Sequence, residues 1–293
     1  MSSSGARGGP ALTAAMGLCL AVGLGLLLYP AVSSYVNETS LADAVTRYEG
    51  SVQAFGDEDR EALLAAAHAY NDSLRGDPVH DPFIEGSGTA VPDNYYEVLD
   101  VDGTGVMGTV SIPAIGVELP IYHGTADEVL QKGAGHIPQT SFPVGGAGTH
   151  AVITGHTGLP DKMMFTNLVR VGEGDVFVIE VVGERRAYRV DDVRVVEPAD
   201  VGAIAIDRDR EYVTLLTCTP YGINSHRLLV RGAPCEMPSD GDLAAEGRPM
   251  PWTALFALTG LLAAGCVAFA AAGRARRRAA QVLREGAGHG RRG

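Results

Sequence analysis

The sequence predicts a mostly β exported domain carried on membrane helices, and three observations lead there. Two long stretches carry no charge, residues 8–36 between Arg7 and Asn37 and residues 249–273 between Arg248 and Arg274. Each exceeds the roughly 18–20 apolar residues that span a bilayer as a helix. Between them, residues 37–247 hold 34 acidic against 14 basic side chains, a net charge of −20. From Val106 onward the chain breaks into short β-branched runs separated by turn residues, the pattern of a closed or nearly closed barrel.

The elements follow in order. Residues 1–10 form a short N-terminus, and 11–36 a transmembrane helix or signal anchor. A small-residue site near Ala31-Val32-Ser33 keeps cleavage open as the alternative. Residues 37–75 read as an N-terminal helical region, with apolar residues at three- and four-residue steps. Ser40 and the Asp57-Glu58-Asp59 run supply its start signals. Residues 76–105 hold three prolines, many glycines and no period, which reads as a lid and connecting loop. Residues 106–235 form the barrel. VMGTVSIPAIGVELPIY alternates and turns at its prolines. TADEVLQKG reads as one short helix, with Thr125 and Glu128 at capping-box spacing and Gly133 as its C-terminal cap. HAVITGH is a short buried strand, and MMFTNLV a helical turn or two. DVFVIEVV, RAYRVDDVRVV, EYVTLLTC and RLLVRG complete at least seven strands. A linker (236–249) leads to the second transmembrane helix (250–273) and a basic tail (274–293) containing RARRR. Positive charge near a span marks the cytoplasmic side. Both termini are therefore expected in the cytoplasm, and residues 37–247 outside the cell. The acidic exterior argues against nucleic acid and against an anionic lipid surface, and is compatible with a basic protein partner.

Cys19 and Cys266 fall inside the two apolar stretches, leaving Cys218 and Cys235 outside. Two exported cysteines suit either one disulfide or a nucleophile with a histidine nearby. The stretch TLLTCTPYGINSHRLLVRG favours the second. Folded as an antiparallel hairpin with Leu216 opposite Leu229, it sets Cys218 opposite Arg227. Directly opposed residues share a face with Cβ atoms about 4.5–5.5 Å apart. A cation there favours the thiolate, which is the nucleophilic form. Arg cannot act as a base, but it can hold a carbonyl oxygen that becomes an oxyanion. Acyl transfer also needs a proton carrier. Of eight histidines, His156 is attractive because it follows a strand end, where sites concentrate. His226 falls on the opposite strand face from Arg227.

These residues carry a resemblance to a known family. TLLTC, with Arg227 nine residues after the cysteine, resembles the Thr-Leu-x-Thr-Cys block of sortases. TPYGINSHRLLVRG is similar to the pilin-polymerising class C group, and VMGTVSIPAIGVELPIYHGT, GAGHIPQTSFPVGG and HAVITGHTGLP match further blocks in order. The resemblance covers roughly residues 94–233. It implies an eight-stranded sortase-type β-barrel with short helices and a cysteine transpeptidase needing no cofactor or metal. The substrates it implies are pilins or surface proteins with Leu-Pro-x-Thr-Gly-type sorting signals. Cys218 is then the nucleophile, His156 the acid that protonates the leaving amine, Arg227 the carbonyl-binding arginine, and Thr217 the supporting signature threonine. A lysine of the next pilin subunit is the implied acceptor, giving an isopeptide bond. The resemblance also implies a lid: in His80-Asp81-Pro82-Phe83, Asp81 pairs with Arg227 and Phe83 covers Cys218. Two other readings remain. One is a sortase that anchors surface proteins to peptidoglycan. The other is an exported binding or scaffold barrel with a Cys218–Cys235 disulfide.

Overall fold

In the computed structural model, the described residues are 10–74, 83, 94–159, 162–239 and 260. The chain divides into two compact units, Met1–Gly247 and Arg248–Gly293. The second expected span, residues 250–273, lies outside the described residues apart from Gly260.

One long helix, α1 (Pro10–Ala54), opens the first unit, and α2 (Asp57–Ser73) follows it. Over Gly17–Ala54 the first is long and apolar enough to cross a membrane, and its most apolar window is unburied. Ser40 does not start a helix, contrary to its sequence signal. Its hydroxyl donates back to the Val36 carbonyl at 2.8 Å, and Thr39 does the same at 2.8 Å. Ser and Thr can make this i−3 or i−4 bond within a helix, so the same residue type that caps one helix passes unnoticed through another. The start of α2 is as expected: Asp57, Glu58 and Asp59 occupy its first turn, where carboxylates complement the helix dipole.

Eight strands close into a barrel: β1 (Val106–Ile112), β2 (Val117–His123), β3 (Ala134–His136), β4 (Thr149–Thr154), β5 (Val176–Val181), β6 (Glu184–Val196), β7 (Glu211–Thr219) and β8 (His226–Cys235). Around the barrel they run β1-β2-β3-β4-β7-β8-β6-β5. The β2/β3 and β4/β7 pairs are parallel, and the rest antiparallel. Phe177, Tyr188, Val190, Leu215 and Val230 are among the side chains that fill the interior.

Two local signals were misleading. The short helix α3 (Asp127–Leu130) begins at an Ala126 N-cap with no side-chain bond, so the Thr125–Glu128 capping box does not form. Its C-cap is Gln131 rather than Gly133. Gly133 instead permits close approach, because a Cβ there would stand 2.7 Å from the Pro120 carbonyl oxygen. The strand that follows, β3, was not recognised from the residues: three positions, one a glycine, show no period.

Both helices fasten to the barrel by buried hydroxyls. Val45, Tyr48 and Val52 form the buried stripe of α1. The Tyr48 hydroxyl donates to the Met107 carbonyl at 2.8 Å and accepts the Val182 N–H at 2.9 Å. From α2, Tyr70 donates to the Pro138 carbonyl at 2.6 Å, and Asn71 exchanges two bonds with the backbone of Phe142. Within the aperiodic segment, Tyr95 is fully buried and its hydroxyl meets both the Nδ1 and the carbonyl of His136 at 3.0 Å. The Tyr95, Phe142 and His136 rings stack at centroid distances of 5.2–5.8 Å. The two ends of the segment from Leu74 to Asn94 are thus anchored on the same β3–β4 connection.

Candidate active site

The β7–β8 hairpin has the register expected of it. Leu216 pairs with Leu229, Cys218 with Arg227 and Thr219 with His226. Cys218 and Arg227 are both buried, at 7% and 6% exposure. An arginine this buried needs partners, and its Nη1 donates to the carbonyls of Asn224 and His226, each at 3.1 Å. Asn224 turns its carbonyl there from the left-handed region, at φ 58°, which Asn tolerates better than most residues. His226 lies on the alternate face and bonds Ser225 Oγ at 2.8 Å.

His156 is supplied by the neighbouring strand. β4 runs parallel to β7, with Thr154 paired to Leu216. Two residues on, the chain is held at several points. The Gly155 N–H donates to the Leu216 carbonyl at 3.1 Å, and the Thr217 hydroxyl donates to the Gly155 carbonyl at 2.7 Å. Thr217 is fully buried. The His156 carbonyl accepts the Phe165 N–H at 3.1 Å. A Cβ on Gly155 would stand 2.9 Å from the Phe165 ring, so only glycine lets that ring press against the backbone beside the histidine. Thr217 thus links the residue before Cys218 to the residue before His156.

The His156 imidazole is half-buried, and burial lowers its pKa below the ordinary value; the Asp127 carboxylate pushes the other way. Asp127, in the first turn of α3, was read from the sequence only as part of a short helix. Its approach to His156 is tertiary, and no spacing signals it.

Phe83 sits over the pair. Its ring centroid is 5.1 Å from the Arg227 guanidinium carbon and 5.8 Å from the His156 ring centroid. It also packs on a small apolar cluster of Ile137, Val152, Ile204, Leu216 and Leu229. Asp81, the other expected lid residue, lies outside the described residues.

Neither Cys218 nor Cys235 is in a disulfide, so the disulfide-bonded scaffold reading is not what the chain forms. The reason is geometric. β8 runs on through Cys235, farther than the sequence suggested, and pairs it with Ala187. Cys235 is eight residues along β8 from Arg227, the partner of Cys218. At about 3.3 Å per residue that is roughly 26 Å, far beyond the ~7 Å Cα separation a disulfide bridges.

Comparison with known proteins agrees with this geometry. A profile of the sortase domain matches residues 110–235. Among curated proteins, Sortase A of Bacillus anthracis is 28% identical over 132 residues, covering 45% of this chain and 61% of that protein. Sortase D of Bacillus subtilis (strain 168) is 27% identical, covering 39% of this chain and 54% of that one. The chain thus spans less than two thirds of these curated relatives. Solved structures match more fully. Sortase C-1 from Streptococcus pneumoniae superposes with a TM-score of 0.63 at 43% identity, over 67% of this chain and 100% of that chain. The pilus-related sortase C of Group B Streptococcus gives 0.61 at 40% identity, over 67% and 98%. A buried cysteine facing a buried arginine beside a strand-end histidine, on an eight-stranded barrel matching these structures nearly end to end, identifies the chain as a member of the sortase family, of class C.

Proposed function

We propose that this chain is a membrane-anchored cysteine transpeptidase that cleaves Leu-Pro-x-Thr-Gly-type sorting signals and joins pilin subunits through isopeptide bonds. The observation that supports it most is the pairing of Cys218 with Arg227, with His156 held beside them through Thr217 and Gly155. The Cys218 thiolate attacks the threonine carbonyl of the sorting signal. The C–N bond to glycine breaks, and His156 gives its proton to the leaving amine. Arg227 donates to substrate carbonyl oxygens, holding the charge that develops on the tetrahedral oxyanion. A lysine amine of the next pilin subunit then attacks the thioacyl carbon and gives a proton to His156, and the cysteine sulfur departs as thiolate.

Phe83 is part of a lid over this site, and Asp81 is its proposed carboxylate partner for Arg227. An aromatic ring against a guanidinium and an imidazole occupies space that a peptide must enter, so the lid opens before substrate binds. The domain limits are proposed as read from the sequence: spans at 11–36 and 250–273, an exterior domain between them and a basic tail at 274–293. Both termini are cytoplasmic in this topology.

The acceptor decides between pilus polymerisation and anchoring to peptidoglycan. The full chain in detergent is incubated with a sorting-signal peptide and either a lysine-bearing pilin domain or a peptidoglycan cross-bridge amine. Mass spectrometry identifies the coupled product. An isopeptide to lysine supports polymerisation, and coupling only to the cross-bridge amine overturns it.

A further inference from the structure

We propose that His150 is a positioning residue: through a part-buried bond to the Ala205 carbonyl it fixes the β6–β7 connection as the wall of the groove beside Arg227. This rests on the sorting-signal reading above and adds to it a residue that touches neither substrate nor the reacting groups.

The connection runs from Val196, at the end of β6, to Glu211, at the start of β7. Its far end is secured where the Gly148 and Thr149 N–H groups donate to the Arg210 carbonyl at 2.8 and 3.2 Å. Its near end leaves β6 opposite Arg227, which pairs with Val196. The stretch between makes one side of a pocket whose lining includes Glu197, Asp200, Ile204, Leu216, Arg227 and Leu229. Ile204 is the apolar contact: it is buried, and it packs in the cluster on which Phe83 sits. When the ring leaves, Ile204 is part of what an entering peptide meets.

Ile204 is one residue from Ala205. His150, on β4, reaches the Ala205 carbonyl through Nδ1 at 2.9 Å. A carbonyl only accepts, so Nδ1 carries the hydrogen. Nε2 is then bare and accepts the Thr214 hydroxyl from β7 at 2.8 Å. Thr214 and His150 are each 1% exposed. The ring also lies 5.7 Å from that of Tyr212. Burial lowers the His150 pKa, against the opposing pull of the Ala205 bond, with Arg231 lowering it further and Asp191 raising it. The imidazole is therefore neutral and in a single tautomer at neutral pH. Both of its nitrogens are committed, one to each neighbour. A ring fixed on two sides by the barrel is a rigid polar support for a connection that the packing of Ile204 also holds between its ends.

The test uses the full chain in detergent, with Phe83→Ala throughout so that the lid does not mask binding. His150→Leu keeps volume and removes the donor. His150→Asn sets an amide where Nδ1 stands. A lost hydrogen bond of about 1.4 kcal/mol corresponds to about tenfold. The expected result for His150→Leu is a KM for the sorting-signal peptide raised about tenfold, kcat within about threefold, and backbone amides of 199–207 exchanging about tenfold faster. His150→Asn recovers most of the KM. The proposal is overturned if KM and loop exchange stay within twofold, or if exchange accelerates equally throughout the barrel. Failure of the Phe83→Ala parent to cleave the peptide overturns the sorting-signal reading itself. The exchange data still decide whether His150 holds the segment.

Discussion

Replacing Phe83 by alanine removes three contacts at once. The ring lies 5.1 Å from the Arg227 guanidinium, a cation–π arrangement of about 1 kcal/mol. It lies 5.8 Å from the His156 ring, and aromatic pairs add about 0.5–1.5 kcal/mol. It is half-buried on Ile204, Leu216 and their neighbours, and half of a phenyl side chain's transfer energy is about 1 kcal/mol. Allowing for overlap between these contributions, the closed state loses about 2–3 kcal/mol, which is about 30–150-fold in the open-to-closed ratio. Cys218 lies beneath this site at 7% exposure. Its alkylation by a maleimide, followed by peptide mapping so that Cys19, Cys235 and Cys266 are read separately, accelerates at least tenfold in Phe83→Ala. Phe83→Leu, which keeps the apolar contact and loses the ring, falls between. A Cys218 labelling rate within twofold of wild type in Phe83→Ala refutes the idea that this ring covers the thiol.

Three further outcomes are expected. Arg227→Gln keeps a donor and loses the charge and the fork, and lowers kcat for sorting-signal cleavage by about 10²–10³, read by steady-state kinetics. Asp127→Asn removes the carboxylate that raises the His156 pKa. His156 then loses its proton at lower pH, so the limb of kcat that falls as pH rises shifts to lower pH, measured as a pH–rate profile. His136 is fully buried with its pKa lowered to about 3, while the unfolded chain titrates near 6.5. Between those values the unfolded state binds a proton that the native state refuses, so stability falls with acidification by about 1.4 kcal/mol per pH unit from this group. Denaturation of His136→Gln across pH 4–7 shows a shallower slope than wild type, whatever its absolute stability.

The hairpin was the most legible part of the molecule. Period-two alternation and two apolar runs across a short loop fix the pairing, and pairing fixes that Cys218 faces Arg227. The strand-end position of His156 was legible for the same reason. What aligns it with Cys218 is a single buried hydroxyl, on Thr217, whose reach to Gly155 depends on β4 and β7 lying side by side although 62 positions separate the bonded residues. Asp127 and His150 act across such non-local contacts too, and nothing in their neighbours marks them. Three signals failed because their residue types serve two purposes. Ser40 bonds backward within a helix instead of starting one. Thr125 stands one position before the real N-cap. Gly133 answers to a close carbonyl rather than to a helix end. The strand β3 escaped because three residues cannot show a period.

The most direct test of the chemistry is the covalent intermediate. The full chain in detergent, carrying Phe83→Ala, is mixed with a Leu-Pro-x-Thr-Gly peptide and quenched in acid, and its intact mass is read. An adduct equal to the peptide up to its threonine is expected, mapped to Cys218, absent in Cys218→Ala, and discharged by a lysine amine. No adduct in the presence of a reactive Cys218 thiol, or an adduct that survives Cys218→Ala, contradicts it.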